Sequence, residues 1–366
     1  MSELLKGIMG LDYQSVIMLS IGCVLIYLAI KKEYEPALLL PIGFGTILAN
    51  IPFSAVIGEH GPLTILYQFG IATELFPLLI FIAIGSMIDF GILLKNPFML
   101  LFGAAAQFGI FFTLFMAILL GFDLKEAASI GIIGAADGPT SIYVANRFAP
   151  HLLPPITVAA YSYMALVPII QPIIIRLITS KKERLIRMDS SSSDVPKSVK
   201  ILFPIIITII VGILVPSATA LIGFLMFGNL LKECGVLDKL ARSAQNELSS
   251  LITILLGITI ASTMTANSFL KTQTLFIFAL GLVAFIFDTV GGVLFAKLLN
   301  IFLKNKVNPM IGAAGISAFP MSARVIQKMG NQEDKQNFLL MPATTANVAG
   351  QIGSVIAGGL ILTLVG

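Results

Sequence analysis

An aspartate inside a long apolar stretch is the residue with the clearest chemical potential in this sequence. Asp137 lies in the segment GAADGPT, residues 134–140, within an otherwise apolar run of membrane-spanning length. An ionised carboxylate at the bilayer centre costs roughly 3 kcal/mol or more. Gly138-Pro139 breaks the helix directly after it, and the carbonyls this frees are tolerated at membrane depth only when they are buried in protein or line a wet cavity. Such an all-oxygen environment suits a hard cation such as Na⁺. The alternative is a Pro-kinked helix whose aspartate pairs with a basic residue.

A second break with polar residues follows later in the chain. Asn308-Pro309 opens an apolar segment, and Gly312, Gly315 and Ser317 come after it. Asn308 is either an N-cap, the usual role of Asn before Pro at a helix start, or an ion ligand through its amide oxygen, and the two roles are compatible.

Further polar residues lie in predicted spans. The last helix contains ANVAGQIGS, residues 346–354, in which we predict Asn347 for the site and small residues, Gly350 among them, for helix packing. Tyr163 lies mid-span, so its hydroxyl needs a buried partner. Arg324, seven residues after Ser317, is expected about two turns along the same helix face, as either a snorkelling or a functional arginine. Asp288 is a secondary candidate.

The composition is that of a polytopic membrane protein. Hydrophobic residues make up 57% of the 366 residues and charged residues only 11%, against about 25% charged residues in ordinary soluble domains. The mean hydropathy is +0.97. The net charge of +4 is small and its basic residues lie in loops, which excludes nucleic-acid binding and indicates contact with the bilayer surface.

Several classes of chemistry have no signal in the sequence. Cys23 and Cys234 lie far apart without a CxxC motif, and His60 and His151 are single loop residues, so neither a disulfide framework nor a zinc or haem site is indicated. No nucleotide-binding glycine motif or Ser/His/Asp set is present. The N-terminus lacks the features of a signal peptide, so the first apolar run is expected to remain as a helix.

Runs of about 20 apolar residues predict eleven membrane-spanning helices. They lie near residues 14–32, 36–52, 75–94, 98–121, 127–149, 154–179, 201–230, 249–266, 273–300, 309–328 and 337–364. Residues 53–73 are too interrupted for a span and are expected to form an interfacial or re-entrant loop. The basic linker 180–200 favours a cytoplasmic location, which places the N-terminus in the cytoplasm and the C-terminus outside.

Two short matches at similar offsets predict an internal repeat. Residues 133–136 (IGAA) recur at 311–314, and residues 42–44 (IGF) recur at 222–224. We therefore predict an N-terminal helix (1–35), a first repeat (36–179), a hydrophilic linker (180–200) and a second repeat (201–366). Five helices per repeat would give inverted topology with paired broken helices, as in secondary transporters, where the ion site lies at the midplane.

Taken together, these motifs resemble the β subunit of the sodium-translocating biotin-dependent decarboxylases that act on oxaloacetate, methylmalonyl-CoA, glutaconyl-CoA or malonate. The resemblance covers almost the whole chain and rests on four segments: GAADGPT (134–140), NPMIGAAGIS (308–317), SARV (322–325) and NVAG (347–350). One departure is Thr345-Ala346 before Asn347, where the family is expected to have Gly-Pro.

The resemblance implies roles for particular residues. The implied Na⁺ ligands are Asp137, Asn308, Ser317, Asn347 and Tyr163. Asp137, Tyr163 and Arg324 would take part in catalysis, with Arg324 also a candidate for holding the carboxylate of carboxybiotin through a bidentate fork. Gly138, Pro139, Gly312 and Gly350 would support the site.

The resemblance also implies a mechanism and partners. A carboxyltransferase (α) subunit moves CO₂ to biotin on a separate carrier protein, and the β subunit decarboxylates carboxybiotin with proton uptake while exporting Na⁺. A small single-span (γ/δ) subunit, a homotrimeric core and the inner membrane of a bacterial-type cell are expected. The alternative function is a stand-alone Na⁺-coupled transporter or Na⁺/H⁺ antiporter with inverted repeats.

Overall fold

The computed structural model describes residues 6–188 and 195–366, and within these ranges the chain forms helices and no strands. In the first range, the α-helices are α1 (Lys6–Met9), α2 (Tyr13–Lys32), α3 (Pro36–Asn50), α4 (Pro62–Leu66), α5 (Leu75–Met87), α6 (Gly91–Lys95), α7 (Leu100–Ala105), α8 (Phe108–Leu119), α9 (Leu124–Gly131), α10 (Gly138–Phe148), α11 (Leu153–Ile178) and α12 (Lys181–Arg184).

The helices of the second range show the same mixture of long and short segments. They are α13 (Lys197–Leu214), α14 (Thr219–Glu233), α15 (Asp238–Ser243), α16 (Ser249–Ala261), α17 (Ala266–Phe269), α18 (Thr272–Phe302), α19 (Met310–Ala313), α20 (Met321–Glu333) and α21 (Leu340–Val365). Short 3₁₀ turns lie at Pro97–Met99, Ile132–Ala135, Pro150–Leu152 and Pro216–Ala218, and π-helical turns at Tyr67–Ile71 and Ala244–Leu248.

Seven helices of the described ranges are long and apolar enough to cross a membrane, so the chain is a multi-pass membrane protein. They are Tyr13–Lys32, Pro97–Leu119, Pro150–Ile178, Lys197–Leu214, Asp238–Ala261, Thr272–Phe302 and Leu340–Val365. A pair bent by 62°, Pro62–Ile71 and Leu75–Met87, adds an eighth. The count of eleven spans stays a prediction, because the other predicted spans are short or broken helices here.

The predicted single helix over residues 201–230 is wrong. The structure divides it at Val215, and a 3₁₀ turn at Pro216–Ala218 joins α13 to α14. Proline disfavours the α conformation in the residue before it, which explains the division. Yet α3 continues through Pro41, and α11 through Pro168 and Pro172. Proline alone therefore does not locate a break in this chain.

Helices that the predicted repeat would make equivalent pack against each other's partners across the two predicted repeats. Helix α3 packs against α16 while α14 packs against α5, and α11 packs against α18 while α21 packs against α7. Both halves also contain a π-helical turn. The repeat itself, its boundaries and its inverted topology remain predictions.

Glycines allow these helices to approach closely. A Cβ on Gly85 would lie 1.8 Å from the carbonyl oxygen of Leu225, and one on Gly228 would lie 2.0 Å from that of Ile82. Backbones this close leave no room for a side chain, the arrangement by which membrane helices gain van der Waals contact. The α5–α14 contact is therefore a fixed part of the bundle.

Candidate functional site

Asp137 lies at the break that its sequence predicts. The 3₁₀ turn Ile132–Ala135 ends at Ala136, whose φ of 52° reverses the chain direction, and Asp137 then caps the N-terminus of α10. The Asp137 Oδ2 accepts a hydrogen bond of 2.7 Å from the Thr140 hydroxyl, and Oδ1 accepts one of 3.3 Å from the Thr140 amide. Aspartate is a preferred N-cap, and the positive end of the helix dipole stabilises its charge.

The second break crosses the first. Helix α19 ends at Ala313 and α20 begins only at Met321, so Ser317 lies in non-helical chain between them. The Ser317 amide donates to the Ala135 carbonyl at 3.2 Å, which joins the two broken segments. The two helix breaks are thereby in direct contact inside the protein.

Helix α21 covers the crossing with polar side chains. Ser354 donates to the Asp137 Oδ2 at 3.0 Å, Ser317 donates to the Gly350 carbonyl at 2.8 Å, and the Gln351 amide donates to the Ser317 carbonyl. The Asn347 Nδ2 donates to the Ile316 carbonyl at 2.6 Å, whereas its Oδ1 is buried without a partner. The site thus contains one carboxylate, several hydroxyl groups and an amide oxygen with free lone pairs.

The polar groups around Asp137 offer oxygen atoms, which are the ligands that hard cations prefer. Asp137 is 4% exposed, and its partners in the described chain are hydroxyl and amide groups rather than lysine or arginine. Because a buried carboxylate is stable only when a counter-charge or proton accompanies it, this arrangement favours a mobile cation. The alternative, an aspartate paired with a basic residue to hold the bundle, is not what the structure contains.

Asn308 lies at the start of the second break but makes its contacts elsewhere. Its Nδ2 donates to the carbonyls of Arg184 and Ile186 at 2.9 and 2.8 Å, and its Oδ1 accepts from the Met310 amide at 3.1 Å. The predicted N-cap role of Asn308 is wrong, because Pro309 occupies the N-cap position of α19. Asn308 instead fixes the chain after α11. No hydrogen bond joins it to Asp137 in the described residues.

Two tyrosines on α11, Tyr161 and Tyr163, make different contacts, and the prediction concerned only Tyr163. The Tyr163 hydroxyl donates to the Phe278 carbonyl at 2.5 Å and so joins α11 to α18. Tyr161 instead lies against the first break: a Cβ on Gly138 would be 2.4 Å from its hydroxyl oxygen, which is buried without a partner. The tyrosine beside Asp137 is thus Tyr161, although Tyr163 was predicted.

Arg324 does not share a helix face with Ser317, and that expectation is wrong because α20 starts after Ser317. Arg324 is exposed and lines an open surface cavity of about 520 Å³ together with Gln327, Lys328 and Asn331. A guanidinium in such a cavity is accessible to an anion that arrives from outside the protein.

The predicted supporting residues lie at close backbone contacts. A Cβ on Gly312 would be 1.9 Å from the Gly292 carbonyl oxygen, and one on Gly350 would be 2.4 Å from that of Gly315. Pro139 occupies the first turn of α10, where its missing N–H costs no hydrogen bond. Ser354 was missed by sequence reasoning, although it lies seven residues, about two turns, after Asn347 on the same helix face.

Comparisons with known proteins agree with these features. Residues 14–365 match the family model of the Na⁺-transporting oxaloacetate decarboxylase beta subunit. The chain is 52% identical to the glutaconyl-CoA decarboxylase subunit beta of Acidaminococcus fermentans over 99% of this chain and 96% of that protein. It is 50% identical to the methylmalonyl-CoA decarboxylase subunit beta of Propionigenium modestum over 98% and 97% of the two chains.

A more distant relative covers the same length. The oxaloacetate decarboxylase beta chain 2 of Salmonella typhi is 44% identical over 98% of this chain and 97% of its own. The resemblance identified from the sequence motifs is therefore confirmed, and the chain belongs to the family of beta subunits of Na⁺-transporting decarboxylases.

Proposed function

We propose that this chain is the membrane subunit of a Na⁺-pumping decarboxylase, in which decarboxylation of carboxybiotin with proton uptake drives Na⁺ export. The observation that carries the proposal is the crossing of two broken segments at Asp137, held by the Ser317–Ala135 and Ser354–Asp137 hydrogen bonds. Paired broken helices that meet at one site are the arrangement in which secondary transporters bind ions.

In this proposal Na⁺ is the transported substrate and binds at Asp137. The free Oδ1 of Asn347 and the hydroxyls of Ser317 and Ser354 supply further oxygens. A carboxylate is neutralised by either Na⁺ or a proton, so exchange of one for the other at Asp137 couples their movements. Tyr163 and Asn308 stay candidates from the family resemblance, Asn308 because an amide oxygen carries two lone pairs and only one is used here.

The surface cavity at Arg324 is the proposed place for the biotin carrier. Carboxybiotin on a partner subunit supplies the carboxyl group whose loss releases the free energy for pumping. The Arg324 guanidinium fits this group because it is exposed and can bind a carboxylate through two parallel hydrogen bonds. Its role is to hold and orient the anion, with Gln327 and Lys328 beside it.

The assembly is proposed on the same basis. We infer a carboxyltransferase (α) subunit, a biotin carrier protein and a small single-span (γ/δ) subunit as partners, with a homotrimeric core in the inner membrane of a bacterial-type cell. The two-repeat division and a cytoplasmic N-terminus with an external C-terminus belong to this proposal.

Co-purification tests the proposed function against a stand-alone transporter or antiporter. A tagged chain solubilised from its native membrane in mild detergent should retain a biotinylated polypeptide, which an avidin blot detects. The isolated complex should decarboxylate a carboxylic acid or acyl-CoA faster when Na⁺ is added. A chain that transports Na⁺ in vesicles without any biotinylated partner would instead establish the transporter.

Replacement of Asn347 by alanine is expected to weaken Na⁺ binding. The loss of its free oxygen should cost about 1–3 kcal/mol, which raises the half-saturating Na⁺ concentration roughly 5- to 150-fold. Na⁺ titration of the decarboxylation rate measures this. Asn229→Ala is the matched control, because Asn229 is also fully buried, donates its Nδ2 to a backbone carbonyl and has an unpaired Oδ1, but lies in α14.

The Asn308→Ala variant separates the two roles of that residue in the same titration. Whether Asn308 is a Na⁺ ligand or only a structural residue, loss of its two hydrogen bonds to Arg184 and Ile186 should lower the thermal stability. A rise in half-saturating Na⁺ as large as that of Asn347→Ala would make Asn308 a ligand. An equal shift in Asn229→Ala, by contrast, would contradict the site at Asn347.

A further inference from the structure

A second buried acid lies at the centre of the bundle, outside the Asp137 site. Asp288 is in the middle of α18 and is 0% exposed. Neither of its carboxylate oxygens has a hydrogen-bond partner in the described chain. An acid with this degree of burial and no partner is expensive to keep as a permanent anion.

Glycines on two neighbouring elements make the space for this carboxyl group. A Cβ on Gly109 would lie 2.4 Å from the Asp288 Oδ1, and a Cβ on Gly134 would lie 2.6 Å from its Oδ2. Gly109 is in the first turn of α8, after the bend at Ala106-Gln107 in the apolar helix Pro97–Leu119. Alanine at either glycine would occupy the position of the carboxyl oxygens.

Within the described ranges, no cationic side chain pairs with Asp288. Helices α7, α8 and α19 and the 3₁₀ turn Ile132–Ala135, which pack against α18, carry no ionisable side chain. The ionisable groups on α9, α11 and α18 itself contact other residues. Lys125 lies over the Phe148 ring, Glu126 pairs with His151, and Arg176 donates to Gln332. Lys297 donates to the Ile178 carbonyl and pairs with Glu183, Tyr163 donates to the Phe278 carbonyl, and Tyr161 lies against Gly138.

The remaining electrostatic feature is a helix terminus. The Asp288 carboxyl group faces the Gly109 and Ile110 amides at the start of α8 without reaching hydrogen-bond geometry. The positive end of this helix moderates the cost of the anion but does not remove it. Metal cations such as Na⁺ need several oxygen ligands, and here only one carboxyl group is present, whereas a proton needs only one oxygen.

We propose that Asp288 is a proton-binding site, separate from the Na⁺ site at Asp137 and coupled to it through the segment Ile132–Ala135. Gly134 in this segment touches Asp288, the Ala135 carbonyl binds Ser317, and Asp137 follows after Ala136. In this proposal a shift of the segment on Na⁺ binding widens the space around Asp288, and water that enters this space hydrates the carboxylate and accepts its proton. This inference rests on the proposed function for its coupling partner, Na⁺.

Infrared difference spectroscopy of the purified complex, with and without Na⁺ at constant pH, tests the proposal without turnover. A band of a protonated carboxyl group should decrease when Na⁺ is added and should shift in D₂O. The Asp288→Asn variant, which mimics the neutral acid, should lose this band. Asp89→Asn is the control, because Asp89 is an accessible acid near a helix end that accepts from the Gly91 amide and pairs with Lys200.

Each outcome decides a separate point. A spectrum unchanged by Asp288→Asn overturns the proton site, and a band that belongs to Asp288 but ignores Na⁺ overturns the coupling. If Asp288→Asn does not fold, Asp288→Glu replaces it, because this variant keeps a carboxyl group but changes its position. A shift in the frequency of the protonated-carboxyl band then supports the site, and an unshifted band contradicts it. Absence of Na⁺-stimulated decarboxylation in the unmodified complex would refute the proposed function but leave the spectral assignment intact.

Discussion

Asp137→Asn is expected to abolish Na⁺-dependent decarboxylation while the protein still folds and inserts. Asparagine retains the shape of the side chain and an oxygen for the Thr140 and Ser354 hydroxyls. It lacks the negative charge that, in the proposed function, binds Na⁺ and accepts a proton. Removal of a buried charge also removes its insertion cost, so expression should not decrease. The measurement is the decarboxylation rate of the purified complex as a function of Na⁺ concentration, with circular dichroism to verify folding.

Asp123→Asn is a matched control for this variant. Asp123 is also an aspartate N-cap, that of the preceding helix α9, but it is exposed and lies in a capping box with Glu126. Asparagine is an equally good N-cap, so this variant should keep both stability and Na⁺ activation. Ordinary Na⁺ activation in Asp137→Asn would show that the ion binds elsewhere.

Gly350→Ala is expected to disrupt the site by steric conflict, without removal of any polar group. The added methyl group would lie 2.4 Å from the Gly315 carbonyl oxygen and 2.7 Å from that of Ile316. Both neighbours are backbone atoms that no side-chain rotation can displace. Helix α21 must therefore move away from the second break, which lengthens the Ser317–Gly350 hydrogen bond and displaces Asn347. Overpacking of this kind costs about 1–3 kcal/mol.

Thermal stability and Na⁺ titration of the Gly350→Ala complex measure the two consequences. We expect a lower melting temperature together with loss of most Na⁺-dependent activity. Gly223→Ala is the control, since a Cβ there has only the Thr208 methyl carbon, at 3.8 Å, within reach. Alanine is also a better helix former than glycine, so the control should be neutral or slightly stabilised. Equal behaviour of the two variants would show that the α21 contact does not position the site.

The local chemistry of the breaks was available in the sequence. Gly138-Pro139 predicted a helix break directly after Asp137, and the structure has α10 starting there, with Asp137 as its N-cap. Asn308-Pro309 likewise predicted a helix start, and α19 begins directly after Pro309, although Pro309 rather than Asn308 occupies the N-cap position. Both features depend on neighbouring residues only, so they can be predicted from the sequence. The membrane class followed from composition, and the family from motifs spread over the chain.

Which side chains face Asp137 was decided by tertiary structure. Successive residues of a helix are about 100° apart, so Tyr161 and Tyr163 point in different directions. In a soluble helix the apolar stripe indicates which direction is inward, but helix α11 is apolar on all sides and gives no such indication. The packing of α11 between α10 and α18 turns Tyr161 to the break and Tyr163 to Phe278.

Contacts between distant segments could not be predicted from the sequence either. Ser354 reaches Asp137 because α21 lies across both breaks, and Asn308 binds the Arg184 and Ile186 carbonyls because the chain after α11 returns to the second break. The sequence by itself thus determined the membrane class, the family and the two breaks. Tertiary structure alone decided which polar groups meet, because that depends on how apolar helices pack, and apolar faces are chemically alike.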